Sequence, residues 1–159
     1  MERFHPRRKE REIQSLEEIH QILKSQKYMT IACSKENVPY LFTVNYAYWQ
    51  EKEWLYFHCA PIGKKIEFIS SNPKVWGQVI VDQGQITGQC DYNYRSVHFQ
   101  GEAEIVAEEK EKSFALELLI DQQEPDPESI KSKLFPEQIN KVTVVKIKIQ
   151  GLSGKEYKG

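Results

Sequence analysis

PYLFTVNYAYWQEKEWLYFHC, residues 39–59, holds two aromatic-rich runs on either side of a polar centre. Aromatic and β-branched residues suit a pleated, half-buried surface, and Pro39 suits the first position of a strand. The pattern predicts a strand over 39–49, a turn at QEKE (50–53) and a returning strand over 54–59. Such a hairpin points to antiparallel pairing and away from a βαβ rhythm. The chain then enters PIGKKIEFISSNP, which reads as a short helix. Ile62, Ile66, Phe68 and Ile69 give that helix an apolar face, Pro61 is tolerated in its first turn, and Asn72-Pro73 stops it.

Working outward, residues 1–12 form a basic arm that reads either as a solvated tail or as a segment lying along a partner. Ser15 and Glu18 make an S-x-x-E capping box, and Leu16, Ile19, Ile22 and Leu23 recur at helical spacing, so a helix is predicted near 15–26. YMTIACS (28–34) is a short strand. Downstream, strands are predicted over 74–82 and 95–107, the second with Gly101 as a bulge or a close backbone approach. The glycine-containing polar stretch 83–94 reads as a loop. Residues 108–122 form an amphipathic helix, and 123–140, with three prolines, a loop with a short helix. The last strand is 141–150, with Val145, Ile147 and Ile149 on one face and Lys146 and Lys148 on the other; 151–159 is an irregular tail. Six strands, few helices and no repeat predict a mainly β fold with flanking helices, a small six-stranded antiparallel barrel in a single domain over 1–159.

The formal net charge is −1, so nothing global points to nucleic acid or to an anionic membrane. No apolar run approaches the ~20 residues of a membrane span, and MERFHPRRKERE does not read as a secretory signal. Cys33, Cys59 and Cys90 are far apart and odd in number, the usage of free thiols in a reducing cytoplasm. Their spacing to His58 or His98 gives no support to a zinc site. The chain has no dinucleotide fingerprint, Walker loop, nucleophile elbow or H-E-x-x-H.

The unusual feature is at 56–65, YFHCAPIGKK. A helix N-terminus already carries partial positive charge, and Lys64 and Lys65 add to it. Gly63 permits close backbone approach. Backbone donors, helix dipole and two ammonium groups converging on one point make a phosphate site. The alternative is a pair of solvated surface lysines. The strands LFTVNYAY and WLYFH could wall a flat heteroaromatic ring. Equally, Phe42, Val44, Tyr46 and Tyr48 could be barrel core or a subunit interface. Asn45, an amide within an apolar strand, needs a partner if buried.

The order PYLFTVNYAYWQEKEWLYFHCAPIGKKIEFISSNPKV, then YRSVHFQGEAEIV, then LSGKE resembles the nitroimidazole-resistance flavoproteins of the pyridoxamine 5′-phosphate oxidase-like, FMN-binding split-barrel group. The resemblance runs from about residue 6 to 156, and the F-H-x-A-x-x-G-K-K and Y-R-S-V blocks together carry it. It implies a split barrel and a homodimer with two FMN sites at the subunit interface. It further implies that Phe42, Thr43, Val44 and Asn45 line the isoalloxazine, with Phe57, His58 and Cys59 beside the ring and ribityl chain. Lys64 and Lys65 would hold the phosphate. Tyr94, Arg95 and Ser96 would approach from the partner subunit, with Lys155 near them. Where Lys64 stands the family commonly carries an arginine, and a lysine keeps the charge without the bidentate fork.

The implied activity is FMN-dependent oxidoreduction, passing electrons from a reduced nicotinamide or other donor to a small planar substrate such as a nitroimidazole. The alternative is a flavin or haem carrier of the same fold without turnover. His58 is the candidate proton donor or substrate-orienting residue, since imidazole titrates near neutrality. His98, in mid-strand, reads as structural. Cys59 and His58 are adjacent on a strand and so face opposite sides, which argues against a Cys-His nucleophile pair.

Overall fold

The structure is a computed structural model that describes residues 7–132 and 141–159. A short 3-10 helix (Lys9–Arg11) leads into β1 (Glu12–Ile13) and α1 (Leu16–Ser25). Then come β2 (Tyr28–Lys35), β3 (Val38–Asn45), β4 (Ala47–Trp49), β5 (Trp54–Cys59) and α2 (Lys64–Ser71). The chain continues through β6 (Lys74–Ile86), β7 (Asp91–Ile105), α3 (Glu109–Gln123), α4 (Pro127–Lys131) and β8 (Thr143–Tyr157). Half of the expected capping box forms: the Ser15 hydroxyl accepts from the Glu18 amide at 3.3 Å, while the Glu18 carboxylate turns to Arg95 at 2.6 Å.

Every strand pairing is antiparallel, in the order β3-β2-β6-β7-β8-β5-β4, with β1 added beside β8. Only Tyr46 separates β3 from β4, so the two ends of this path are one broken strand. That continuity curls the sheet into a split barrel. The barrel is filled by Met29, Ile31, Tyr46, Leu55, Phe57, Val79, Val97, Phe99 and Ile147, all fully buried. Ile19, Ile22 and Leu23 of α1 and Phe68 and Ile69 of α2 pack into the same core. α3 builds a second cluster on the outside, with Ala115, Leu116 and Leu119 against Ala47, Tyr56 and Val144.

Among the described residues, eight strands replace the six expected. The 39–49 strand breaks at Tyr46, whose hydroxyl donates to the Leu23 carbonyl at 2.6 Å and anchors the break to α1. The expected loop at 83–94 is mostly ladder: β6 and β7 pair out to Ile86 and Asp91, with a register shift between Asp82 and Gln85. Its polarity reflects a two-stranded ribbon with most of its residues exposed on both faces. The irregular tail is also a strand, since β8 pairs with β7 as far as Tyr157. Its small residues are a packing requirement; a Cβ on Gly154 would lie 2.9 Å from both Ile13 and Ile19. Of the basic arm, residues 1–6 lie outside the described residues, while Arg11 stacks 3.9 Å from the Tyr157 ring centre. The short helix expected in 123–140 is α4, and 133–140 lie outside the described residues.

Gly101 has both properties expected of it. The ladder shifts register between Gln100 and Gly101, and a Cβ there would lie 2.2 Å from the Lys148 carbonyl oxygen. The alternation in β8 holds for Val145 and Ile147, but Lys146 does not face solvent. It lies under α3, its ammonium 2.7 Å from both Glu104 and Glu111 and 4.4 Å from the Trp54 ring centre.

Candidate functional site

Among the described residues β3 pairs with β2 alone. Its other edge carries backbone donors and acceptors that no described strand takes up, at the seam where the barrel is split. Across that seam lies β5, close enough for the Phe42 and Phe57 rings to approach to 5.9 Å. Just beyond β5, Gly63 turns the chain into α2 with φ +149°, a conformation glycine adopts readily, and nothing lies within 4 Å of where its Cβ would be. The first two residues of α2 are Lys64 and Lys65.

The two ammonium groups lie over aromatic rings at this end of the barrel. Lys64 Nζ is 5.1 Å from the Tyr40 ring centre, and Lys65 Nζ is 5.5 Å from that of Phe42. Neither lysine has a carboxylate partner among the described ion pairs. The acid in this first turn, Glu67, is held instead by Lys35 at 2.5 Å. A hollow of about 130 Å³ lies here, lined by Tyr40, Cys59, Gly63 and both lysines among others. Cys59 sits at its wall; burial pushes its thiol pKa up, and the Lys65 charge opposes that rise. The helix start, two cations with no described ion-pair partner and open space around Gly63 fit a phosphate group.

The expected ring-lining residues divide by strand alternation. Phe42 is buried in the core and Val44 packs against it, while Thr43 and Asn45 face outward. Phe57 is fully buried, and His58 on the opposite face of β5 is exposed. Asn45 and His58 line a second hollow of about 420 Å³, together with Tyr28 and with Leu119, Ile120 and Gln123 of α3. Although part of His58 reaches solvent, packing around its ring lowers its pKa from the ordinary 6.5. The site therefore offers a neutral imidazole at pH 7.

Tyr94 and Lys155, half-buried, and Ser96, only 3% exposed, lie on the same side of the sheet as Thr43 and Asn45, as the register Thr43↔Thr30↔Gln78↔His98 and Ser96↔Lys155 requires. They are not beside those residues. β2 and β6 intervene, a separation of roughly 14 Å at the usual strand spacing. Along this face, on β2, β3 and β6, lie exposed apolar side chains, Tyr28 at 63%, Leu41 at 66% and Ile80 at 55%. Arg95 is on the other face. Its guanidinium is bonded to Glu18 at 2.6 Å and lies 3.4 Å from Glu156, which separates it from Tyr94 and Ser96. His98 is on the outward face, accepting from the Trp76 indole at 3.2 Å, and burial followed by the Lys155 charge lowers its pKa.

Two residues of this region were not legible as site residues. Gln122 and Gln123 end α3, and their amides hold the strand break: Gln122 accepts from the Tyr48 amide at 2.9 Å, and Gln123 donates to the Tyr46 carbonyl at 2.8 Å. Glutamines at a helix end look like solvent residues, and no periodicity marks them. Among the described residues no group of three or more His, Cys, Asp or Glu could hold a metal ion, and no helix is long and apolar enough to cross a membrane.

The family model for pyridoxamine 5′-phosphate oxidase matches residues 15–156. No curated protein sequence matches significantly. Among solved structures, an FAD-binding protein from Mesorhizobium loti is 27% identical with a TM-score of 0.67, over 93% of this chain and 98% of the other. A candidate 5-nitroimidazole antibiotic resistance protein from Bacteroides thetaiotaomicron is 23% identical with a TM-score of 0.75, over 91% and 86%. The flavocytochrome Anf3 from Azotobacter vinelandii is 20% identical with a TM-score of 0.80, over 97% and 72%.

Proposed function

The chain belongs to the pyridoxamine 5′-phosphate oxidase family, and on that premise we propose that it is an FMN-binding oxidoreductase acting on a small planar substrate as a homodimer. The observation that carries this reading is the Lys64–Lys65 corner, whose ammonium groups lie over Tyr40 and Phe42 of the free-edged strand β3, with Asn45 of the same strand sharing a separate hollow with His58. The description of the Mesorhizobium loti relative as FAD-binding supports a flavin. FMN in particular is favoured because the cations cluster at one small hollow, which suits a single terminal phosphate.

Bound FMN would supply two-electron chemistry, taking electrons from a reduced nicotinamide and returning them to an electron-poor acceptor. The chain's own residues do the rest. Lys64 and Lys65 bind the phosphate as point charges, without the bidentate fork of an arginine. Thr43 and Asn45 present their side chains to the ring, and Phe42 and Phe57 stiffen the wall behind it. His58, neutral at pH 7, donates a hydrogen bond from its ring N–H and so orients an acceptor oxygen on the substrate. Its capacity to deliver a proton rises as the pH falls below neutrality. A nitroimidazole or other nitroaromatic, small and planar enough to lie on the flavin ring beside His58, is the substrate class that the description of the Bacteroides protein suggests.

The homodimer explains two features of the outward face. It covers the apolar stripe of Tyr28, Leu41 and Ile80, and a two-fold contact brings Tyr94, Ser96 and Lys155 of one chain to the β3 edge of the other. Three free cysteines suit a reducing compartment, the cytoplasm. The test is a steady-state assay with added FMN, reduced nicotinamide and nitroaromatic acceptors. Turnover that depends on FMN supports the reading. FMN bound without turnover on any acceptor would make the protein a flavin carrier, and a Soret band in its visible spectrum would replace flavin by haem.

A further inference from the structure

The hydrogen bonds of Gln123 determine which way the Asn45 amide points. Gln123 Nε2 lies 2.8 Å from the Tyr46 carbonyl and 3.1 Å from the Lys27 carbonyl. Carbonyl oxygens only accept, so the NH₂ end of Gln123 must face them. Its Oε1 is then an acceptor, and it lies 3.2 Å from Asn45 Nδ2. A second carbonyl, Lys27 O, is 3.5 Å from the same Nδ2. The NH₂ of Asn45 is therefore directed at protein acceptors. Its Oδ1 bonds to no described residue and is left at the hollow that Asn45 shares with His58. The orientation follows from donor and acceptor identities alone.

We infer that Gln123 is a positioning residue which holds Asn45 Oδ1 outward as the acceptor for the single N–H of the flavin's pyrimidine edge, the N3–H that lies between two ring carbonyls. This rests on the flavin reading above and holds for any flavin, since all share that edge. Gln122 serves as the internal contrast. It bonds Leu23 and Gln26 carbonyls at 3.1 and 2.9 Å and the Tyr48 amide at 2.9 Å, and it has no described bond to Asn45. Both glutamines support the backbone; only Gln123 orients the amide. Lys27 reinforces the device by donating its ammonium to the Gln122 and Gln123 carbonyls at the end of α3.

The test compares binding of FMN with that of 3-methyl-FMN, in which N3 carries a methyl group in place of hydrogen. The wild type is expected to bind FMN roughly tenfold or more tightly than the methylated analogue, the loss expected when an acceptor faces a group that cannot donate. In Asn45→Ala and in Gln123→Ala the ratio collapses to within about twofold, and the double variant shows no further change. Gln122→Ala lowers the melting temperature but keeps the wild-type ratio, which a merely structural role for Gln123 would not separate. FMN bound with no discrimination by the wild type, or discrimination that survives Gln123→Ala, overturns the inference and leaves the flavin reading standing. Asn45 is exposed, so Asn45→Ala decides the matter even if Gln123→Ala fails to fold: discrimination surviving there also overturns it. Failure of the wild type to bind any flavin sinks both.

Discussion

Replacing Lys64 and Lys65 together by alanine separates ligand binding from stability, because the two effects have opposite signs. A lysine ammonium about 4 Å from a phosphate oxygen gains about 1 kcal/mol in water and about 4 at an effective dielectric of 20. Lys64 is exposed and Lys65 half-buried, so the value lies near the watery end. The pair then contributes about 2–3 kcal/mol to phosphate binding, or roughly 30- to 150-fold in FMN affinity, less at high salt. In the unliganded protein the same lysines sit at the positive end of the α2 dipole, where each costs about 0.3–1 kcal/mol. Their removal should raise the melting temperature by about 1–8 °C. The assay is fluorescence titration with FMN and with riboflavin, which lacks the phosphate, alongside a thermal melt. The expected result is a large loss for FMN, little change for riboflavin, and a slightly more stable apoprotein. Unchanged FMN affinity, or an equal loss for riboflavin, would refute the assignment of these lysines to the phosphate.

Other expected outcomes follow from the same structure. Gly77→Ala places a Cβ 2.0 Å from the Phe99 ring, so a fully buried aromatic must move; a loss of about 2–4 kcal/mol, seen as a fall of about 5–15 °C in melting temperature, is expected, with partial recovery in the Gly77→Ala/Phe99→Leu double variant. Lys146→Ala leaves Glu104 and Glu111 facing each other under α3, and denaturant titration should report a loss on the order of 2 kcal/mol. His58 and His98 both have pKa values lowered from 6.5. Below that value the unfolded chain takes up protons before the folded one does, so stability should fall on acidification from roughly pH 7 to 5. A His58→Gln/His98→Gln variant should show a flatter profile of melting temperature against pH over that range.

What could be read before the structure was whatever rests on local pattern. The N-cap at Ser15, the hairpin after Trp49, the helix after Gly63 and the bulge at Gly101 each depend on residues close together in the chain. The corner at Lys64 and Lys65 was legible for the same reason, since a helix start and two cations are contiguous in sequence. The ribbon at 83–94 and the strand at 151–157 were not. Polar and small residues there report exposure on both faces, and close packing of Gly154 against α1 and β1, rather than the absence of a ladder. Arg95 could not be separated from Tyr94 and Ser96 by motif, although strand alternation alone places neighbours on opposite faces, and Glu18 and Glu156 then claim it. Gln123 was invisible because its partners, Lys27, Asn45 and Tyr46, lie 77 to 96 residues away.

The central claim, that a flavin with its phosphate at the α2 corner is shared between two chains, is tested most directly by sedimentation velocity of the FMN-reconstituted protein, followed at the visible flavin band. The account predicts that protein-bound flavin travels with one species of about twice the 18.7 kDa chain mass. Flavin travelling with a single chain, or remaining wholly unsedimented while the protein moves, would contradict it.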